Sequence, residues 1–235
     1  MKIKLLAVTF LIGSLILAFA FGPQEEPAPE ISDVRPPEEQ IRRMADGTLR
    51  LGEITLDPRT KEISFEGYLK HPKQGDLEIL IASKTYSGRL HETLIVTEAS
   101  SYQLEALLLA MGADNTIKRD IPNKRGSLVN IDLEWKDDSG LIHREPIEQW
   151  VLDQRTGKPM QRKGFYFVGS NFHKGIYQAE GSGNLCLLYS NTPATVLDCA
   201  DRDSDSDIIY VTNPAKTGPG AYRNVRVIIS LRKER

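Results

Sequence analysis

The sequence predicts an α+β, β-rich fold in which largely antiparallel sheet(s) pack on one buried, Leu-rich helix, with a short Trp-containing helix in addition. Three observations carry this expectation. Short segments that alternate apolar and polar residues recur along the chain, and Gly, Pro and Asp turn signals separate them. A single Leu-rich stretch, 100–112, has helical start and stop signals. The 235 residues have ordinary apolar content, which suffices for a real core.

The chain opens with Lys2 and Lys4 before an apolar run over residues 5–21, in which Ala18-Phe19-Ala20 forms a small-x-small triplet. A basic segment, an apolar segment and such a triplet describe an export signal at 1–20, cut after Ala20. The alternative is a retained anchor helix, because the run approaches the roughly 18 apolar residues of a membrane span. Both readings make the protein extracytoplasmic: periplasmic, secreted or anchored through its N-terminal segment. Residues 21–46 follow as a Pro/Glu-rich disordered linker, with Pro23, Pro27, Pro29, Pro36 and Pro37 among Glu25, Glu26, Glu30, Glu38 and Glu39. Proline removes backbone donors and the acids repel one another, so this stretch is expected to be extended.

The folded domain is expected over 47–233. Residues 63–68 alternate as a half-buried strand, 77–82 read as a more completely buried one, and 94–96 continue the pattern. Ser100 with Gln103 fits a capping box, and Gly112 occupies the place of a left-handed C-terminal cap. Leu104, Leu107, Leu108 and Met111 fall on one face, while Ala106, Leu109 and Ala110 spread apolar character around the cylinder. That distribution predicts a helix buried on more than one side, the central packing element. Residues 128–135 alternate over eight positions. Pro146 opens a short helix that turns Ile147, Trp150 and Val151 inward. Residues 165–168, 185–188, 208–211 and 225–229 complete the strands.

Charge narrows the function classes. The net charge is −2, more acidic still once an export segment carrying two lysines and no acid is removed. With no block of Lys or Arg, the chain lacks the electrostatic footprint of a nucleic-acid binder or of a polybasic membrane patch. Any membrane contact is expected only through the N-terminal helix. The two cysteines, Cys186 and Cys199, flank the turn-forming Asn191-Thr192-Pro193. An oxidising compartment and a short intervening loop predict a disulfide between them. Two thiols cannot hold an iron–sulfur cluster or a four-thiolate zinc site, and no cofactor is expected.

The stretch Ser87-Gly88-Arg89-Leu90-His91-Glu92-Thr93-Leu94-Ile95-Val96-Thr97, followed by a Leu-rich helix ending Met111-Gly112-Ala113, resembles the core signature of the YdjY-like domain. Phe165-Tyr166-Phe167-Val168-Gly169-Ser170-Asn171-Phe172 is similar to the aromatic-Gly-Ser-x-Phe segment of longer exported members of that family. The resemblance covers residues 50–232. It implies an exported bacterial β-rich domain and no particular activity. The ferredoxin-like description of some relatives is not carried over, because its cysteine set is missing here.

Three constellations are candidates for chemistry. His91-Glu92 could bind a metal or act as a base, although neighbours on a strand point to opposite faces and the second His of a helical zinc motif is absent. Gly169-Ser170 follows a strand, but Val168 and Phe172 do not supply the flanking glycines of a nucleophile elbow. Asp201, Asp203, Asp205 and Asp207 form an alternating acidic run that could offer oxygens to calcium. Ser206 and Thr212 stand where an EF-hand needs Gly and Glu. These readings favour an exported, non-catalytic binding or structural module of the cell envelope, with an unidentified envelope protein or ligand as partner. The alternative is an envelope hydrolase or metal-dependent enzyme that uses the His91-Glu92 region.

Overall fold

A computed structural model of the protein describes residues 40–70, 77–85, 89–115, 126–188, 194–201, 208–216 and 224–232. The export segment, most of the Pro/Glu-rich stretch, the Asn191-Thr192-Pro193 turn and Asp203, Asp205 and Asp207 lie outside them.

Eight strands build the core: β1 (Glu62–Leu69), β2 (Ile79–Ser83), β3 (Thr93–Thr97), β4 (Leu128–Lys136), β5 (Phe165–Phe167), β6 (Asn184–Leu187), β7 (Leu197–Cys199) and β8 (Asn224–Leu231). Around the ring their order is β1-β8-β4-β5-β7-β6-β2-β3, and a pairing of β1 with β3 closes the circle. The β2/β3 and β6/β7 pairs are parallel and the other six are antiparallel.

This closed barrel corrects the expected architecture of sheets laid on a Leu-rich helix. The cause lies in two strands. β8 pairs with β1 and with β4 along most of its length, setting Val227 between Phe65 and Leu133 and Ile229 between Ile63 and Ile131. At its far end β1 changes partner, so that Tyr68 and Leu69 face Val96 and Ile95 of β3. The inward row then runs Leu69, Ile95, Ile81, Cys186 and Leu197 from strand to strand, all fully buried. A sheet rolled onto itself supplies its own second face, and side chains fill an eight-stranded interior. Each fully buried Leu or Ile there contributes roughly 1.5–3 kcal/mol, so the barrel needs no helix as its centre.

The helix covers one end instead. α1 (Ser101–Ala110) leaves the end of β3, touches β6 and the strand Ile54–Asp57, and delivers Asp114 to Ser127, just before β4. The Ser100 hydroxyl accepts the Gln103 N–H at 3.4 Å, and Gly112, at φ +91°, ends the helix. Leu104, Leu107 and Leu108 are buried, whereas Tyr102, Leu109 and Ala110 are exposed. α1 is therefore one-sided, not buried all round. A second short helix, α2 (Gln178–Ser182), packs beside it.

A 3-10 turn, Ile147–Trp150, and a small sheet of Lys158–Pro159, Val151–Asp153 and Tyr210–Thr212 pack together, and the turn also meets β4. The indole of Trp150 joins that of Trp135 at the end of β4. The strands Arg42–Arg43, Leu49–Leu51 and Ile54–Asp57 extend the sheet outward from β1, so ordered structure begins inside the 21–46 stretch. Among the described residues no helix is long and apolar enough to cross a membrane.

Candidate functional site

His91 and Glu92 sit on a 3-10 turn, Leu90–Glu92, that leads into β3. A strand would have sent them to opposite faces. The tighter rotation of the turn brings them together instead, with His91 Nε2 3.2 Å from Glu92 Oε1. Arg89 Nε lies 3.3 Å from the same oxygen, and the Arg89 guanidinium also pairs with Glu78. Lys70 donates to the Leu90 carbonyl at 2.6 Å and fixes the turn from below. The Glu92 side chain is mostly covered, but that of His91 is 76% exposed. The result is a surface ion cluster with one open imidazole. No group of three or more His, Cys, Asp or Glu side chains among the described residues could hold a metal.

The acidic run divides. Asp201 is buried, and its two oxygens accept from Arg155 at 2.6 Å, from Tyr210 at 2.6 Å and from Lys163 at 2.9 Å. Burial alone would raise this carboxyl, yet the bonds from Lys163, Tyr210 and Arg155 together hold it well below the usual range. The same burial, with the bond to Asp201, pushes the Tyr210 phenol up. Arg155 also grips both oxygens of Asp153, at 2.9 and 2.8 Å. Asp201 is thus committed to two cations and a phenol, which makes it a brace between β7 and the small sheet.

Cys186 and Cys199 are separate buried thiols inside the barrel. The direct partner of Cys186 on β7 is Leu197, and Cys199 stands one diagonal step farther along. Diagonal neighbours on a sheet lie about 7–8 Å apart, at the edge of what a disulfide spans. Burial pushes the Cys186 thiol up, with Cys199, Asp198 and Glu148 adding to the effect.

Gly169 and Ser170 form a junction with α1. Gly169 takes φ +65°, and a Cβ there would lie 2.6 Å from Asn115 Nδ2. The Ser170 hydroxyl accepts the Ala179 N–H at 3.1 Å as α2 begins, while the Ser170 N–H donates to Glu105 at 3.0 Å. Asn115 and the Tyr177 hydroxyl also donate to Glu105. Burial raises the Glu105 carboxyl against the bonds from Ser170 and Asn115. Ser170 is a positioned structural hydroxyl in this arrangement. Glu105 is the hub that sequence reading passed over, and its signal was an acid set within a run of leucines.

Two further features lay outside the sequence reading. An aromatic face is exposed where α1 meets the hairpin of Phe172–His173 and Ile176–Tyr177. The Tyr102 and Phe172 rings flank Tyr177 at 5.8 and 5.4 Å, and Ile176 is exposed beside them. Leu109, two turns along α1 from Tyr102, extends the face. Elsewhere, Glu148 is buried in the 3-10 turn, and neither of its carboxyl oxygens has a hydrogen-bond partner.

No family model matches this chain, and no curated protein and no solved structure is significantly similar to it.

Proposed function

We propose that the chain is an exported protein of the YdjY-like kind, working outside the cytoplasm as a non-catalytic binding or structural module of the cell envelope. The observation that carries this reading is the exposed aromatic face of Tyr102, Phe172, Ile176 and Leu109. Large apolar side chains grouped at a surface mark an interaction site more often than scattered ones do. The basic-apolar start of the sequence supports the compartment, and the motifs around His91, Met111 and Phe167 support the family.

A photoreactive phenylalanine analogue placed at position 172 of the exported protein tests it in intact cells. Position 158, an exposed lysine, is the control. Discrete adducts at 172 and none at 158 are expected. Absence of adducts at 172, or equal labelling at both, would overturn the reading.

The alternative, an envelope hydrolase or metal-dependent enzyme, draws on the 3.2 Å contact between His91 and Glu92. It requires a turnover that His91→Ala abolishes while the melting temperature stays unchanged.

A further inference from the structure

Glu148 stands apart from every other acid described above. Asp201, Asp153, Glu92 and Glu105 are each met by a cation or by at least two donors. Glu148 is fully buried, and both its oxygens lack a hydrogen-bond partner. Its neighbours in the turn, Ile147 and Trp150, are core residues, and the turn packs on β4, on Ile142–Pro146, on Val151–Asp153 and on Lys158–Pro159.

Charged groups on those elements are engaged with other partners or, like Lys136 of β4, exposed. On β4, Asp132 is bound by Arg144 and Arg162, and Glu134 pairs with Arg226. On Ile142–Pro146, His143 bonds Asp137 at 2.7 Å, Arg144 bridges Glu62 and Asp132, and Glu145 holds Lys216. On the small sheet, Asp153 is tied to Arg155, and Lys158 is exposed. Cys186 inside the barrel senses Glu148 electrostatically. A carboxylate in such a place would be a bare charge in low dielectric, a state that proteins avoid by keeping the proton or by moving the group to water.

We propose that Glu148 is a pH-operated latch: protonated, it lets the Ile147–Trp150 turn seat against the barrel, and ionised, it drives that turn outward and uncovers Trp150. The reaction is the loss of one proton from the Glu148 carboxyl to solvent. Burial, opposed by the dipole of its own backbone N–H, too poorly aligned for a hydrogen bond, and by the charges of Arg162 and Arg232, and worsened by Asp132, pushes this carboxyl up to about 7. The switch point therefore falls near neutrality. The inference does not depend on what the protein binds.

The chain supplies its own reporter, since its two tryptophans, Trp135 and Trp150, touch each other beside the latch. Tryptophan emission of the full chain is followed from acid to alkaline pH. The wild type should shift to the red with a midpoint near pH 7, and Glu148→Gln should stay blue throughout. His143 stacks on Trp135, so His143→Gln serves as a control and must retain the transition. Amide exchange of residues 147–151 in the wild type provides a second readout that needs no variant. Its protection factors, taken relative to the base-catalysed intrinsic rate at each pH, should fall above the midpoint while those of β8 hold. A flat wild-type emission profile, a transition that survives in Glu148→Gln, or protection factors at 147–151 that do not change with pH would each overturn the proposal.

Discussion

The Trp150 indole meets the Trp135 indole edge-on, with ring centroids 5.5 Å apart and planes at 86°. Lys216 lies over the Trp150 ring at 5.8 Å and His143 stacks flat on Trp135 at 5.2 Å, so the pair is enclosed by polar groups on its outer side. Edge-to-face pairs of this kind contribute about 0.5–1.5 kcal/mol beyond the area they bury. Glu148 sits two residues before Trp150, in the same buried turn.

That placement gives a stability prediction of definite sign. An unfolded Glu148 carboxyl titrates near 4.5 and the folded one at about 7, so the folded state holds the proton more tightly. Its favourable contribution is complete below the lower value and is lost as pH rises through the upper one. The difference in unfolding free energy between Glu148→Gln and wild type should grow in favour of the variant by about 3 kcal/mol across that window. Urea unfolding at a series of pH values measures it, and a constant difference would contradict it.

Asp201 works in the opposite direction. Its carboxyl is held below the ordinary range, so its stabilisation is present above that range and disappears as the solution is acidified through the lower folded value. Asp201→Asn should cost about 2 kcal/mol at neutral pH, because it removes the charge that holds Lys163 and Tyr210 and leaves Arg155 with Asp153 alone. Tyr210→Phe, which removes the bond to Asp201 and the longer one from Arg155 but no charge, should cost about 1 kcal/mol. Paired urea curves distinguish the two.

The thiols make a chemical prediction. Buried and with Cys186 pushed up, they should not react with a disulfide reagent in the native protein, since the thiolate is the reactive form. Denaturation without reductant should release two titratable thiols. Recovery of none from protein taken from its own compartment would instead establish the Cys186–Cys199 bond expected from the sequence.

The one-sided character of α1 can be read by substitution. Leu108→Ala should cost about 2–5 kcal/mol. Leu109→Lys, on the exposed face, should stay within about 0.5 kcal/mol. Equal losses at both positions would mean a helix buried on all sides.

Closure of the barrel rests on a tight approach at Gly67. A Cβ there would meet Ile95 Cγ2 at 2.7 Å, beside the point where β1 takes up β3. Gly67→Ala should destabilise by about 1–3 kcal/mol through overpacking, and thermal melting is a sufficient assay.

Much of the local structure was legible in the sequence. The alternation over 128–135 and 225–229 marks inward rows that appear in β4 and β8, and Ser100 and Gly112 bound α1 where capping chemistry places them. What covers the inward rows was not legible. An alternating strand states which face is buried and not what buries it, and the contacts that close the ring, Leu69 with Ile95 and Val227 with Phe65, join segments that share no local signal. Counting leucines overstated the burial of α1, because Leu109 and Ala110 add apolar content without adding a buried side. At the candidate site, strand geometry wrongly separated His91 from Glu92, since one turn of 3-10 helix replaces the first residues of the expected strand. Glu148 could not be singled out at all, because only three dimensions reveal that a carboxyl has no partner.

The seat of β8 between β1 and β4 also sets an order of events in time. Every other barrel strand is synthesised before this one, and two of them wait with an open edge until it arrives. The ring cannot form progressively from the N-terminus, and contacts of such long sequence separation are slow to assemble. A nascent or partly threaded chain therefore carries an unfinished sheet, vulnerable at its edges to other strands, and the arrival of β8 is the step that seals it.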